Sequence, residues 1–284
     1  MLNKTQTLTL VIPAYNEEGY LQACLDSVAE QTVMPDEVIV INNNSTDETA
    51  KIAKEYSFVT LIDEPKQGVF FASKTGFNTA ESDLIGRIDA DTILPDDWIE
   101  KILDYFKRAD IAAITGPVDY YDMPFPRTNH FFDHSLRLFA YRWIQETPFL
   151  YGSNYAIRRT VWQAVESELC PQSDIHEDVD LAIHLVRSGQ KILYTKDILS
   201  NASARRYNSS FKAFMGYIRM GQRVYNRHGM KTIAITLGTV MWLLGYVLIH
   251  PWRNVWYRHY ESVSRLGPVV RQPRKNPMSG SIEI

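Results

Sequence analysis

The sequence predicts an α/β protein: a Rossmann-like, mostly parallel sheet flanked by helices, with a helical C-terminal extension. Three observations predict it. Short apolar runs alternate with segments of helical period over the first two-thirds of the chain. Each unusual polar cluster follows directly on one of those runs. Beyond about residue 205 the alternation stops, and basic, aromatic-rich helical patterns take over.

The elements follow in order. LTLVIP (8–13) is a short apolar strand closed by proline. Leu21, Cys24, Leu25 and Val28 stand at i, i+3, i+4 and i+7, which is one face of a helix. EVIVI (37–41) is the second strand. Ser45 and Glu48 have capping-box spacing, which predicts a helix from there through Ala53. FVTLI (58–62) is the third strand. A helix near 69–80 and the strand LIGRI (84–88) follow. Alternation of this kind builds right-handed βαβ units. In such sheets ligands sit beyond the carboxyl ends of the strands. The clusters PAYNEE, NNNSTD and DAD all fall there, as one site assembled from several loops would require.

Composition narrows the function. With 284 residues, 45% hydrophobic and 22% charged, the chain is an ordinary globular one. Cys24 and Cys170 are far apart and show no metal-ligand spacing, which fits a reducing compartment. Residues 1–12 lack a long apolar stretch, so no cleavable leader is expected. The net charge of −3 divides unevenly: residues 198–284 hold 13 Lys/Arg against Glu261 and Glu283. Two readings stand: oppositely charged solvated faces, or a basic surface for phosphate or anionic lipid.

Asp89 and Asp91 end the fourth strand two residues apart. Paired carboxylates repel and resist burial, so a cation is expected beside them. Glu177 and Asp178 form a second acidic pair. The apolar stripe Leu181, Ala182, Leu185 and Val186 makes 177 onward a helix, with Gly189 placed to stop it. Acids in a first turn are favoured as anions by the helix dipole; by position they read first as ordinary helix caps, and otherwise as the anion a general base requires. No GxGxxG or P-loop is present, and no Gly-rich loop follows the first strand.

Taken together, VIPAYNEE, VIVINNNSTDETA, GVFFASKTGF, GRIDADT and HEDVDL resemble the ordered motifs of family-2 glycosyltransferases of the GT-A fold, over about residues 8–190. The resemblance implies roles. Pro13, Tyr15 and Glu17 would line the nucleotide base and ribose. Asn43 stands where the family usually has an Asp that bonds the base, and its amide offers donor and acceptor. Ser73 and Lys74 replace a usual Arg–Asn, so Lys74 would supply charge toward the diphosphate. Asp91 of the D-x-D element would bind Mg²⁺ or Mn²⁺, and Asp89 would take a ribose or water-mediated contact. YGSNYAIRR (151–159) resembles the segment lining the sugar and acceptor pocket, with Gly152 allowing close backbone approach; Arg158 and Arg159 read equally well as surface charges. Asp178 matches the family's base.

The implied activity is inverting transfer from a nucleotide diphosphate sugar, UDP-linked as the first expectation, to an acceptor hydroxyl, as in lipid-linked or cell-envelope glycan synthesis. The alternative is a non-catalytic nucleotide-sugar or anionic-lipid binding protein on the same fold. A nucleotidylyltransferase is disfavoured by the absent Gly-rich loop. No nucleic-acid partner is expected.

The rear of the chain lies outside the resemblance. The 17 residues 233–249 carry no charge and, as a helix, span about 25 Å against a bilayer core of about 30 Å. Arg219, Arg223, Arg227 and Lys231 precede this run; Arg253, Arg258, Arg265 and Arg271 follow it. Trp242, Trp252, Trp256, Tyr246 and Tyr257 suit a water–lipid boundary. A helix lying on the cytoplasmic membrane face, a single span, and a buried helix or dimer contact are the three readings. The expected division is a catalytic domain over 1–204 and a membrane-associated helical region over 205–284, located on the cytoplasmic face.

Overall fold

The computed structural model describes residues 6–123, 126–143, 148–230, 236–248 and 250–251. A seven-stranded sheet has the order β3-β2-β1-β4-β7-β5-β8. Its strands are β1 (Leu8–Ala14), β2 (Glu37–Asn42), β3 (Val59–Asp63), β4 (Leu84–Arg87), β5 (Ala113–Thr115), β7 (Tyr155–Arg158) and β8 (Ile192–Tyr194). β1, β2, β3 and β4 are parallel, whereas β7 runs antiparallel to β4 and to β5. A small parallel pair, β6 (Val118–Tyr120) and β9 (Ser200–Ala202), lies apart from the main sheet.

The strands are apolar on both sides because helices cover both faces. Leu8, Leu10 and Ile12 enter one core with Val38 and Val40, under α1 (Leu21–Ala29) and α4 (Trp98–Phe106). Val11, Ile39, Ile41 and Ile85 enter the other, under α3 (Val69–Thr79), α6 (Arg159–Val165) and α7 (Glu177–Arg187). α2 (Thr49–Lys54), α5 (Pro126–Trp143) and α8 (Phe211–Arg227) complete the named helices.

The second helix departs from expectation. It begins at Thr49, and the Ser45–Glu48 box does not form. Ser45 Oγ instead accepts from the Asn16 N–H at 3.0 Å, tying the loop after β2 to the loop after β1. Asp47 Oδ1 takes the Thr49 N–H at 3.0 Å. At the far end of α7 the expected stop is present, with Gly189 at φ +77°, a conformation that disfavours side chains bearing a Cβ.

Residues 236–248 form a further helix. Its Tyr246 is buried with Tyr207 and Phe214, and Trp242 and Leu243 pack against the same cluster. The opposite side exposes Leu237, Val240, Met241, Leu244, Val247 and Leu248, so a fully buried helix is not what the fold presents. No helix of the described residues is long and apolar enough to cross a membrane. Lys231 and the run beyond His250 and Pro251, with Trp252, Arg253, Trp256, Tyr257, Arg258, Arg265 and Arg271, lie outside the described residues.

Candidate active site

The two acidic pairs, nearly ninety residues apart in sequence, meet around one arginine. Arg87, the last residue of β4, is 2% exposed. Its Nη1 lies 2.9 Å from Asp89 Oδ1, and its Nη2 donates to Glu177 Oε1 at 3.1 Å. A guanidinium fork suits two carboxylates at once. Asp178, beside Glu177 in the first turn of α7, accepts from the Gly152 N–H at 2.8 Å and from the Val179 N–H at 2.8 Å.

Gly152 is the hinge of this arrangement. A Cβ there would stand 2.1 Å from Arg87 Nη1 and 3.2 Å from Asp178 Oδ2. The close approach expected of this glycine is therefore made to Arg87. β7, three residues on, runs antiparallel between β4 and β5, which brings the 151–154 turn against the end of β4.

A second arginine holds the other half. Arg205 Nη2 donates to Glu17 Oε1 at 2.6 Å, and Arg205 Nε lies 2.9 Å from Asp91 Oδ2. The guanidinium also stacks 4.3 Å from the Tyr20 ring centroid. The cation expected beside Asp89 and Asp91 is thus present in part as protein: Arg87 for one, Arg205 for the other. Neither arginine was singled out by sequence reasoning. Their signals were an arginine inside an otherwise apolar strand, and a basic pair at the point where family resemblance faded.

Electrostatics follow from burial. Desolvation and the neighbouring Asp178 push Glu177 up to about 7, against the pull of Arg87. Asp178 is also raised, by burial first, while Arg87 and the two backbone N–H groups oppose the shift. The helix N-terminus alone predicts a readily ionised pair; desolvation outweighs it here.

The remaining expected residues divide. Pro13 lies within β1, opposite Ile41 of β2, and Tyr15 is half-buried just beyond the strand. Glu17 is buried and engaged by Arg205. Asn43 is redirected: its Nδ2 donates to the Glu64 and Lys66 carbonyls at 2.9 and 2.8 Å, and its Oδ1 accepts from the Gly68 N–H at 2.7 Å. Both amide hydrogens are thereby spent on the loop before α3, so Asn43 clamps that loop where base contact was expected. Lys74 lies on α3 with Glu166 Oε2 at 3.9 Å, so its recorded partner is a carboxylate beyond α6. Arg158 and Arg159 are not free surface charges. Arg158 donates to the Phe106, Arg108 and Ile111 carbonyls, and Arg159 to Ser82 O.

Comparison with known proteins gives a consistent family. Residues 9–165 match the description "Glycosyl transferase family 2". The glycosyltransferase GlyA of Streptococcus pneumoniae is 35% identical over 114 residues, which is 37% of this chain and 16% of that protein. The O-antigen chain rhamnosyltransferase RfbN of Salmonella typhimurium is 27% identical over 204 residues, 66% of this chain and 63% of that protein. The chain therefore spans less than two-thirds of either relative. Among solved structures, the mannosyltransferase PcManGT of Pyrobaculum calidifontis, in complex with GDP-Man and Mn²⁺, superposes with a TM-score of 0.65 at 17% identity, covering 92% of this chain and 77% of that one. The glucosyl-3-phosphoglycerate synthase of Mycobacterium tuberculosis, with Mn²⁺, UDP-glucose and phosphoglyceric acid, gives 0.56 at 17% identity, covering 80% and 81%. At these identities the structural likeness carries the fold.

Proposed function

The chain belongs to glycosyl transferase family 2, and from that premise we propose that it transfers a sugar from a nucleotide diphosphate sugar to an acceptor hydroxyl with inversion. One observation supports this above the others: Asp89 and Asp178, at the ends of different elements, meet around Arg87 and Gly152.

In this reading Asp178 accepts the acceptor hydroxyl's proton as that oxygen attacks the anomeric carbon, and the nucleotide diphosphate departs. The Gly152 and Val179 N–H groups hold the carboxylate in one orientation. Glu177 stays on Arg87, so only Asp178 of the pair is turned to the reacting group. A single displacement inverts the anomeric centre.

Asp91 would hold a divalent cation, Mn²⁺ or Mg²⁺, with Asp89 in a ribose or water-mediated contact. A hard carboxylate oxygen suits such an ion. Arg205 Nε lies 2.9 Å from Asp91 Oδ2 without an aligned hydrogen bond. The ion, when bound, would stabilise negative charge on the leaving diphosphate. PcManGT and the mycobacterial synthase were solved with Mn²⁺ and a nucleotide sugar, which supports the reading. Pro13, Tyr15 and Glu17 remain the proposed nucleotide side.

We further place the protein at an anionic membrane surface on the cytoplasmic side, through the basic rear of the chain and the apolar side of 236–248. A lipid-linked or envelope-glycan acceptor would be met there.

The test is a panel of UDP- and GDP-linked sugars with Mn²⁺, read by thermal shift and donor turnover, on wild type and Asp178→Asn. A cognate donor stabilises the folded protein by mass action. Asp178→Asn should lower turnover about 10²–10⁴-fold while donor binding survives. A loss of that size in Glu177→Gln with little effect in Asp178→Asn would make Glu177 the base in place of Asp178. Binding without turnover by wild type on any donor and acceptor supports the non-catalytic alternative.

A further inference from the structure

A second cluster of ligand-type side chains lies on α7, away from the two arginines. We propose that Cys170, Asp180, His184 and His228 form a zinc site that staples the end of α8 to α7.

The four donors come from three places in the chain, which is why Cys170 shows no metal-ligand spacing in sequence. Asp180 and His184 stand at i and i+4 on one face of α7. His228 caps α8, and Cys170 follows the short 3-10 helix (Glu166–Glu168) that continues from α6. One ligand atom from each lies within 4.8 Å of the other three. Tetrahedral zinc, with bonds of about 2.0–2.3 Å, needs its ligand atoms about 3.5 Å apart, so small side-chain rotations close the site.

His184 supplies the independent sign that something is bound. It is 9% exposed, and its Nε2 has no hydrogen-bond partner. Its Nδ1 lies 3.2 Å from Glu168 Oε2, and a carboxylate there fixes the proton on Nδ1. Nε2 then carries a lone pair, with Asp180 Oδ1 3.9 Å away. A buried lone pair facing a buried carboxylate, with no proton between them, is a cost that a cation removes.

The other donors are set for the same centre. Asp180 is 1% exposed and accepts from the Cys170 N–H at Oδ2, at 2.8 Å. His228 Nε2 lies 2.6 Å from Asp180 Oδ1. Cys170 packs against the apolar cluster of Ile175, Ile183 and Val224. One thiol, two imidazoles and one carboxylate are the donor types of a closed, four-ligand zinc site, where magnesium or manganese would take oxygen. One rearrangement is required. Arg187 Nη1 lies 2.9 Å from His228 Nδ1 and must donate to it, which leaves the proton on Nε2. Metal binding moves that proton to Nδ1 and turns away Arg187, whose side chain is exposed and keeps its bond to His228 O.

The experiment uses the full chain, stripped with chelator and titrated with Co²⁺, then Zn²⁺. Wild type should bind one equivalent of cobalt with a thiolate-to-metal charge-transfer band, which zinc abolishes, and zinc should raise the melting temperature. Cys170→Ser should lose the band. Glu168→Gln, at an exposed side chain, should weaken zinc about 10–100-fold without unfolding the protein. Arg187→Gln should tighten binding. Asp91→Asn should leave all of this unchanged, which separates the site from the proposed donor-site metal. No charge-transfer band in wild type, a band that survives in Cys170→Ser, or equal zinc affinity in Glu168→Gln overturns the proposal.

Discussion

Arg205 bridges Asp91 and Glu17, at 2.9 and 2.6 Å, with all three side chains less than one-tenth exposed. Two buried carboxylates share one buried guanidinium, so removing the arginine takes a common cation from both. Breaking such a pair typically costs about 3–5 kcal/mol. Arg205→Ala is therefore expected to lose stability of that order in urea denaturation. Mn²⁺ should restore part of it if Asp91 takes the ion. A variant within about 1 kcal/mol of wild type would show the bridge to be incidental.

Asp91→Asn separates metal chemistry from folding. The amide keeps the size of the side chain but is a poorer ligand for a hard cation and cannot offset its charge. The variant should melt as one cooperative unit while losing most Mn²⁺-dependent donor turnover. Near-normal turnover with Mn²⁺ or Mg²⁺ removes Asp91 as the ligand.

Gly152→Ala tests the junction of the two acidic pairs. The new methyl would press on Arg87 Nη1, whose neighbouring groups Asp89 and Glu177 leave it little room to swing. Overpacking of this kind costs about 1–3 kcal/mol. Turnover should fall further than stability alone explains, because the Gly152 N–H also orients Asp178. Wild-type turnover in a folded variant would mean that the close approach does not matter to chemistry.

The sequence made the central strands and the polar ends of those strands visible, because alternation and clustering are local properties. Asp89 and Asp91 were named on that basis, Glu177 and Asp178 from the first turn of a helix, and Gly152 from the family resemblance. Their partners were not legible. Arg87 reaches Glu177 across 90 residues, and nothing local to either residue records the pairing. β7 was missed as a strand because four residues, Tyr155–Arg158, carry too short a period to register. Ser45 and Glu48 had the right spacing for a capping box, but Asn16 from another loop competed for the serine. Asn43 was expected at the nucleotide base from the resemblance, but its amide engages the Glu64 and Lys66 carbonyls and the Gly68 N–H, more than twenty residues on, which no local pattern records.

Turnover should depend on pH through the acidic pair. Burial raises Asp178, so the proton-accepting form is gained only as pH rises past the ordinary carboxylate range. Activity should therefore fall on the acid side at a higher pH than an exposed aspartate would give. Glu177 stands at about 7, raised by burial and by Asp178. Glu177→Gln frees Arg87 toward Asp178, and Arg87 is the group that most opposes the rise of Asp178. That favours the anion, so the acid limb of kcat should move to lower pH. A limb that stays in place, or moves upward, contradicts the coupling between the two carboxylates.

The helix at 236–248 should bind anionic membranes through a side that the fold leaves bare. Leu237, Met241, Leu244 and Leu248 are 58, 54, 57 and 70% exposed and recur at helical spacing, while Trp242 and Tyr246 anchor the other side to Tyr207. Residues 198–284 add a charge of +11. Basic residues near an anionic surface contribute about 1 kcal/mol each at best, and salt screens that attraction within about 10 Å. Burial of leucine and methionine in the acyl boundary is not weakened by salt. The two contributions predict a mixed behaviour in cosedimentation: partial release from anionic vesicles at high salt, with the remainder held until detergent is added. The double variant Leu237→Glu, Leu244→Glu places charge on the bare side without touching Tyr246, so it should lose the salt-resistant fraction and keep the salt-sensitive one. A spanning segment would give no salt release at all and would protect the chain beyond 253 from protease. Wild-type protein that stays in the supernatant with anionic vesicles at low salt would end the membrane proposal, and would leave the reading of Asp89, Asp91 and Asp178 untouched.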